Sequence, residues 1–350
     1  MAKLDIINLV YGEKFTRFFV DISLPSQLSP GNIPSLRERG ESCYNIYTTA
    51  ADAATIQAAP SYRLLASLMP VNLVILSAEQ IRSPEERAQQ GQTVWSVLSM
   101  VHKMAIEQTR TEHLVFLAPD WVIADGSLGM IERRLDQGYE AIVISAPRIE
   151  WEGAEPLFRA WVVNGEYLAL PGRVLVDIML KHLHWLHQAL THDMRWYADV
   201  IRVNWPSLML WRHPEIGFIV HSAHLHPVAV KRSSGHAGFT TTIDGDYLSH
   251  FTPGTDKIYF ATDSDELCIS DITPRGYGQE YRSDQPLGIF YLAHWIQQNT
   301  TPINRWFMEQ SFLFKSSGCK DEVMATCSQI SRQRTANLLT LCRSLLGLSS

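Results

Sequence analysis

The sequence predicts an α/β protein, with a mostly parallel sheet flanked by helices in the first 150 residues and an elaborated C-terminal half. Five short runs rich in Ile, Val and Leu alternate with longer helix-like stretches, the pattern of strands joined by crossover helices. One of those stretches carries an apolar stripe at three- and four-residue spacing. The chain is 350 residues long, 46% hydrophobic and 19% charged, enough for a sizeable core and incompatible with wholesale disorder.

The strand-like runs are Ile6 to Val10, Tyr44 to Thr48, Val71 to Leu76, Leu114 to Leu117 and Ala141 to Ile144. Each is too short for a buried helix and continuous enough for a strand covered on both faces. From Gln92 to Gln108, Val94, Val97, Leu98, Val101, Met104 and Ala105 fall on one side of a helix. Ser127 to Gln137 predicts another helix, with Ser127 as N-cap and Gly138 as the stop. Beyond residue 150 the alternation loosens. Val174 to Leu190 reads as a helix, and Gly217 to Val220, Val228 to Val230 and Ile258 to Ala261 as strands. With no internal repeat or low-complexity linker, the expected organisation is residues 1–150, an elaborated half over 151–315 and a helical tail over 316–350. From Gln329 the tail carries Arg332, Arg334 and Arg343 without an acid, beside Leu338, Leu339, Leu341, Leu345, Leu346 and Leu348. Such a segment can lie on an anionic membrane surface or dock on the protein body, and three arginines alone bind a membrane weakly.

Thirty basic against 36 acidic side chains leave a formal charge of −6, without the one-signed excess that wraps nucleic acid. Cys43, Cys268, Cys319, Cys327 and Cys342 are odd in number and widely spaced, which fits a reducing compartment. Asp5, Glu13, Lys14 and Arg17 interrupt the first twenty residues, so neither a signal peptide nor a membrane span is expected there, and the expected location is cytoplasmic. There is no GxSxG elbow, no GxxxxGK[ST] loop and no GxGxxG after the first strand.

The most informative segment is HLVFLAPDWVIADGSL, residues 113 to 128, where a strand ends in Pro119-Asp120 before a small-residue helix start. A carboxylate at a strand end can hold a divalent cation against a diphosphate, since Mg²⁺ and Mn²⁺ prefer oxygen ligands. The first strand ends in Val10-Tyr11-Gly12, and the second runs into YTTAADAAT, residues 47 to 55, with Asp52 near a helix start. Together these segments resemble the GT-A (Rossmann-like) glycosyltransferases over roughly residues 5 to 147. The resemblance aligns Tyr11-Gly12 with the loop that receives the base, Thr49 and Asp52 with the "DDGSTD" turn, and Asp120 with the last position of the DxD motif. The first acid of that motif is absent, the triplet being Ala118-Pro119-Asp120. Asp52 has an equal reading as a helix N-cap. The chain also resembles poorly characterised bacterial proteins with "LPSxLxPGN", "TIDxDY" and "DSDE" segments, found here at residues 24–32, 242–247 and 263–266.

Ten of the thirteen histidines fall between residues 182 and 250, including His221, His224 and His226 in VHSAHLHP. Neutral imidazoles on one strand face suit Mn²⁺ or Zn²⁺, and some GT-A enzymes recruit a C-terminal histidine as a metal ligand. His182, His184 and His187 read as packing or surface residues. KIYFATDSDEL, residues 257 to 267, runs an apolar strand into Asp263, Asp265 and Glu266, candidates for a metal site or a catalytic base against a solvated turn. Asp244 and Asp246 form a weaker acidic turn, and Gly235, Gly238 and Gly245 a flexible loop. Tryptophans are dense after residue 150, where they suit either core packing or stacking of sugar rings.

The resemblance implies a glycosyltransferase that moves a sugar from a nucleotide diphosphate donor to a saccharide or lipid-linked acceptor with Mn²⁺ or Mg²⁺. On this reading Tyr11, Gly12, Thr49 and Asp52 bind the nucleoside, while Asp120 with His221, His224 or His226 serves metal and diphosphate. Asp263, Asp265 or Glu266 would be the base, with 1–150 the nucleotide-sugar half and 151–315 the acceptor half. The competing expectations are a non-catalytic nucleotide-sugar or glycan-binding protein of the same fold and a metal-dependent hydrolase built on the histidines.

Overall fold

In a computed structural model the described residues are 2–81, 94–109, 111–193, 201–232, 247–248 and 255–345. The chain divides into two compact units, Met1–Ile144 with Phe158–Leu170 and His226–Phe260, and Ser145–Leu157 with Pro171–Leu225 and Ala261–Ser350.

The first unit is built on strands β1 (Leu4–Leu9), β2 (Cys43–Thr48), β3 (Val71–Ile75), β4 (His113–Leu117), β5 (Ala141–Ile144), β6 (His226–Lys231) and β7 (Ile258–Phe260). They form one sheet in the order β7-β5-β6-β4-β1-β2-β3. Pairing is parallel throughout except for β6, which runs antiparallel to both neighbours. All five strands expected before residue 150 are in this sheet, and β6 and β7 contain the later Val228 to Val230 and Ile258 to Phe260. The inner strands β1, β4 and β5 are buried along their whole length, as apolar runs covered on both faces should be. Among the flanking helices are α1 (Glu13–Phe18), α2 (Ala50–Ala58), α3 (Pro60–Leu68), α4 (Val94–Gln108) and α5 (Ser127–Asp136).

Helix α5 begins where expected, but Ser127 is not its N-cap. Gly126 takes that position in the left-handed region at φ 88°, and a side chain distant in sequence caps the helix instead. Asn32 Oδ1 accepts from the Leu128 N–H at 2.9 Å, while Asn32 Nδ2 donates to Ser26 O at 2.9 Å and Ala124 O at 3.1 Å. Gly31 approaches so closely that an added Cβ would lie 2.7 Å from Gly126 N, and its own N–H donates to Asp125 Oδ1 at 2.6 Å. The LPSQLSPGN segment is therefore the cradle of the turn that starts α5. At the other end Gly138, at φ 92°, stops the helix as anticipated.

The second unit contains a four-stranded sheet in the order Thr191–Asp193, Leu208–His213, Gly217–Ser222, Phe312–Lys315. The helix expected over 174–190 is interrupted, forming Gly172–His182 and Trp185–Gln188. Leu183 and His184 are extended between them, because the buried His184 binds Pro274 O through Nε2 (3.0 Å) and accepts from the Leu186 N–H through Nδ1. The helix Asp321–Leu345 docks here, with Met324 and Cys327 in a core cluster with Trp211, Ile216 and Ile219. Leu338 and Leu339 are buried too, so these leucines do not face a lipid surface. His221 fastens the helix, its Nδ1 2.9 Å from Met308 O and its Nε2 3.0 Å from Ser331 Oγ. No helix among the described residues is long and apolar enough to cross a membrane.

Two stability predictions follow from these buried polar joints. Asn32→Ala leaves three partners without their bonds and should cost about 2–4 kcal/mol in denaturant unfolding. Burial lowers the His221 pKa to about 4, against 6.5 for an ordinary histidine. The unfolded chain then binds the proton first as pH falls, so His221 removes stability progressively between pH 6.5 and about 4 and has no such effect above 6.5. Unfolding at pH 7 and pH 5 should show His221→Gln to be less acid-sensitive than the parent by about 2 kcal/mol; an unchanged difference would refute the assignment.

Candidate functional site

The order β3-β2-β1-β4 places a topological switch between β1 and β4: the chain adds strands outward from β1 on one side, then returns to add β4 on the other. Crossover helices leave such a point uncovered at the carboxyl ends of the strands, where open α/β sheets bind ligands. Asn8 lies level with Leu117, so both strands end at the same height. Tyr11-Gly12 follows one of them and Ala118-Pro119-Asp120 the other.

Gly12 carries the turn from β1 into α1 at φ 83°, a conformation that disfavours any side chain. Its N–H donates to Asp52 Oδ2 at 3.0 Å. Asp52 Oδ2 also accepts from the Thr49 hydroxyl at 2.7 Å, and Thr49 Oγ1 accepts from the Asp52 N–H at 3.1 Å. Thr49 is the N-cap of α2 and Asp52 its third residue, a close relative of the capping box. The structure thus joins Gly12, Thr49 and Asp52 in one hydrogen-bonded group, with Tyr11 next in sequence. Of the two readings of Asp52, the capping position belongs to Thr49, and the carboxylate fixes the turn after β1. The sequence reading put the cap at Asp52, and the structure moves it to Thr49; the bond to Gly12 had no signal in the sequence.

Asp120 lies in the turn after β4, half-buried. Because β6 is antiparallel, its first residue, His226, returns to this same edge of the sheet. The His226 ring meets Trp121 edge-on, with centroids 4.7 Å apart at 78°, and its Nε2 lies 3.3 Å from Phe116 O. His226 is therefore beside the residue that follows Asp120. His221 and His224 belong to the second unit. His221 has both ring nitrogens engaged and none left for a metal, while the His224 ring lies 6.5 Å from that of Trp295.

Among the described residues no three His, Cys, Asp or Glu side chains form a group that could hold a metal ion. A histidine-rich zinc site thus has no support in these residues. Mg²⁺ bound to a diphosphate makes a smaller demand, one or two carboxylates beside the phosphate oxygens.

Asp263 and Asp265 belong to an ion-pair network of the second unit. Arg173 grips Asp265 with two hydrogen bonds of 2.8 Å, and Lys315 Nζ lies 2.7 Å from Asp263 and 3.4 Å from both Asp265 and Asp321. The hydrogen bond from Arg173 holds the Asp265 carboxyl below its usual range, despite opposing desolvation. For Lys315 burial pulls downward, but the hydrogen bond and charge of Asp263 prevail and keep the ammonium protonated. These two carboxylates tie the helix Gly172–His182 to the strand Phe312–Lys315, and Asp321 brings the start of the C-terminal helix to the same cations. A carboxylate held in its charged form by a guanidinium is a weak proton acceptor. Glu266 follows in the same turn, its N–H donating to Asp263 O at 3.0 Å. Asp244, Asp246 and the Gly235, Gly238 and Gly245 loop lie outside the described residues. Nothing in the sequence around residue 263 announced its partners at 173 and 315.

No protein-family model matches the chain, and no curated protein matches it. Among solved structures, it is similar to S. aureus TarS 1–349 in complex with UDP-GlcNAc, with 10% identity and a TM-score of 0.40 over 87% of this chain and 66% of that one. The structure of TarS 1–349 alone matches over 42% of this chain and 36% of that one, at 13% identity and a TM-score of 0.30. Mouse xyloside xylosyltransferase 1 in its apo form matches over 46% and 57%, at 10% identity and a TM-score of 0.27. The chain thus spans less than two thirds of the length of these proteins.

Proposed function

We propose that the chain is a glycosyltransferase that moves a sugar from a nucleotide diphosphate donor to a saccharide or lipid-linked acceptor. The observation that carries this reading is the switch point between β1 and β4, with the Gly12–Thr49–Asp52 group on one side and Asp120 on the other. The first group presents a rigid turn, a hydroxyl and a carboxylate, suited to the base and ribose of a nucleoside. Tyr11 adds an aromatic ring next to that turn.

Asp120 faces the part of such a ligand that carries the phosphates, and would hold Mg²⁺ or Mn²⁺ there. When bound, the cation neutralises charge that builds on the departing diphosphate. In the reaction an acceptor hydroxyl oxygen forms a bond to the anomeric carbon, the bond from that carbon to the diphosphate breaks, and the diphosphate leaves with the electron pair. The acceptor proton passes to a base. His226, beside Trp121, helps to shape the phosphate end of the crevice.

The test is thermal unfolding of the whole chain with UDP, GDP, CDP and dTDP, with and without Mn²⁺, since a ligand of the native state raises its apparent stability. One nucleoside diphosphate should raise the midpoint in a Mn²⁺-dependent way; a flat response to all four would overturn the reading. With the matching nucleotide sugar, Asp120→Asn should lower kcat/KM, read as nucleoside diphosphate release, by about 10²-fold or more. An unaltered rate would remove Asp120 from the site.

A further inference from the structure

The second unit exposes an indole with an unusual setting. Trp205 is 44% solvent-exposed, yet it is held on two sides. The buried Trp295, on the helix Ile289–Asn299, meets it edge-on at 5.0 Å between ring centroids and 79°, and Tyr281 flanks it at 6.4 Å and 38°. The backbone beside it is fixed as well: Asn204 N–H donates to Tyr281 O at 2.9 Å, and Tyr291 Oη donates to Asn204 O at 2.9 Å. A ring so fixed loses little conformational freedom when something stacks on it, so its exposed face is preorganised for a flat ligand.

Size and surroundings select the ligand. A tryptophan side chain contributes roughly 150–250 Å² when covered, so the open part of Trp205 is on the order of 100 Å². That is about the area that one ring stacked face to face would cover. The neighbouring ribbon, Ile201–Val203 against Arg282–Leu287, is polar and of mixed charge rather than apolar, which argues against lipid insertion. Among the described residues it also lacks the free cationic groove of a single-strand nucleic-acid binder. Arg282 lies over the Trp185 ring at 5.2 Å, and Arg202 donates to Asp284 O at 3.3 Å.

We propose that Trp205, buttressed by Trp295 and Tyr281, is a saccharide-stacking platform that receives the apolar face of a pyranose. The stacking does not depend on the transferase reading. An indole offers an apolar face to the sugar C–H groups and a polar edge to its hydroxyls.

The experiment is titration of the full chain, followed by intrinsic tryptophan fluorescence, with chitohexaose, cellohexaose and maltohexaose, and separately with UDP and Mn²⁺. At least one hexasaccharide should bind, Trp205→Ala should weaken it roughly three- to tenfold, and Trp205→Phe should recover part of the loss. Trp161→Ala removes a ring of similar exposure (42%) in the first unit, with no such aromatic buttress among the contacts described, and should leave saccharide affinity unchanged. Binding of no hexasaccharide, equal affinity of the parent and Trp205→Ala, or competition by oligo(dT) in place of saccharide would each overturn the proposal. Saccharide binding without any nucleotide binding would uphold the platform and refute the transferase reading; the reverse would do the opposite.

Discussion

Parallel pairing of β1 with β4 is the constraint from which the candidate site derives. A parallel neighbour has to be reached by a crossover, and a right-twisted sheet admits crossovers of one hand. The chain that has grown outward through β2 and β3 must come back past its own first strand, and the two sets of connections part above the ends of β1 and β4. The candidate position is thus a product of chain path rather than of any one side chain. The turns beside it still need local support, which comes from Asp52 for the Gly12 turn and from Gly31 and Asn32 for the β4–α5 connection.

Legibility in the sequence followed the range of the interaction. Ile, Val and Leu runs report burial on both faces of a sheet, so the strands of the seven-stranded sheet were readable one residue type at a time, whereas the short strands Trp121–Ile123, Val162–Val163 and Tyr167–Leu168 were not. Thr49 and Asp52 lie within a single helical turn of each other, and the sequence reading found the cap there but put it on Asp52 instead of Thr49. Asn32 and Leu128, or Arg173 and Asp265, are brought together only by folding, so neither end carried a mark of the other. For this reason the DSDE segment looked like a reactive acidic cluster when read locally, although two of its carboxylates are held by distant cations. His221 illustrates the same limit: a histidine-rich stretch suggested metal, and the partners that occupy its nitrogens come from residues 308 and 331.

The acidic groups at Asp52, in the first unit, and at Asp263 and Asp265, in the second, use charge differently. In the second, Asp263, Asp265 and Asp321 are spent on Arg173 and Lys315, fastening three elements. Removing one cation there would leave neighbouring carboxylates in mutual repulsion, a change in integrity rather than in chemistry. In the first, the Asp52 carboxylate is bonded to a backbone N–H and a neutral hydroxyl, which leaves its negative charge uncompensated by the bonds that orient it. Orientation without neutralisation is what ligand recognition requires.

The antiparallel strand β6 has a consequence for biogenesis. Val115 pairs with Ala229, so one long edge of β4 is closed only when a segment far downstream has been made. At usual translation speeds that interval is on the order of ten seconds. During it β4 and β5 each present an open, apolar edge of the kind that other chains can pair with. The nascent protein therefore passes through a window in which its most buried strands are its most adhesive ones; residues 226–231 narrow it by inserting between them, and residues 258–260 close the other edge of β5.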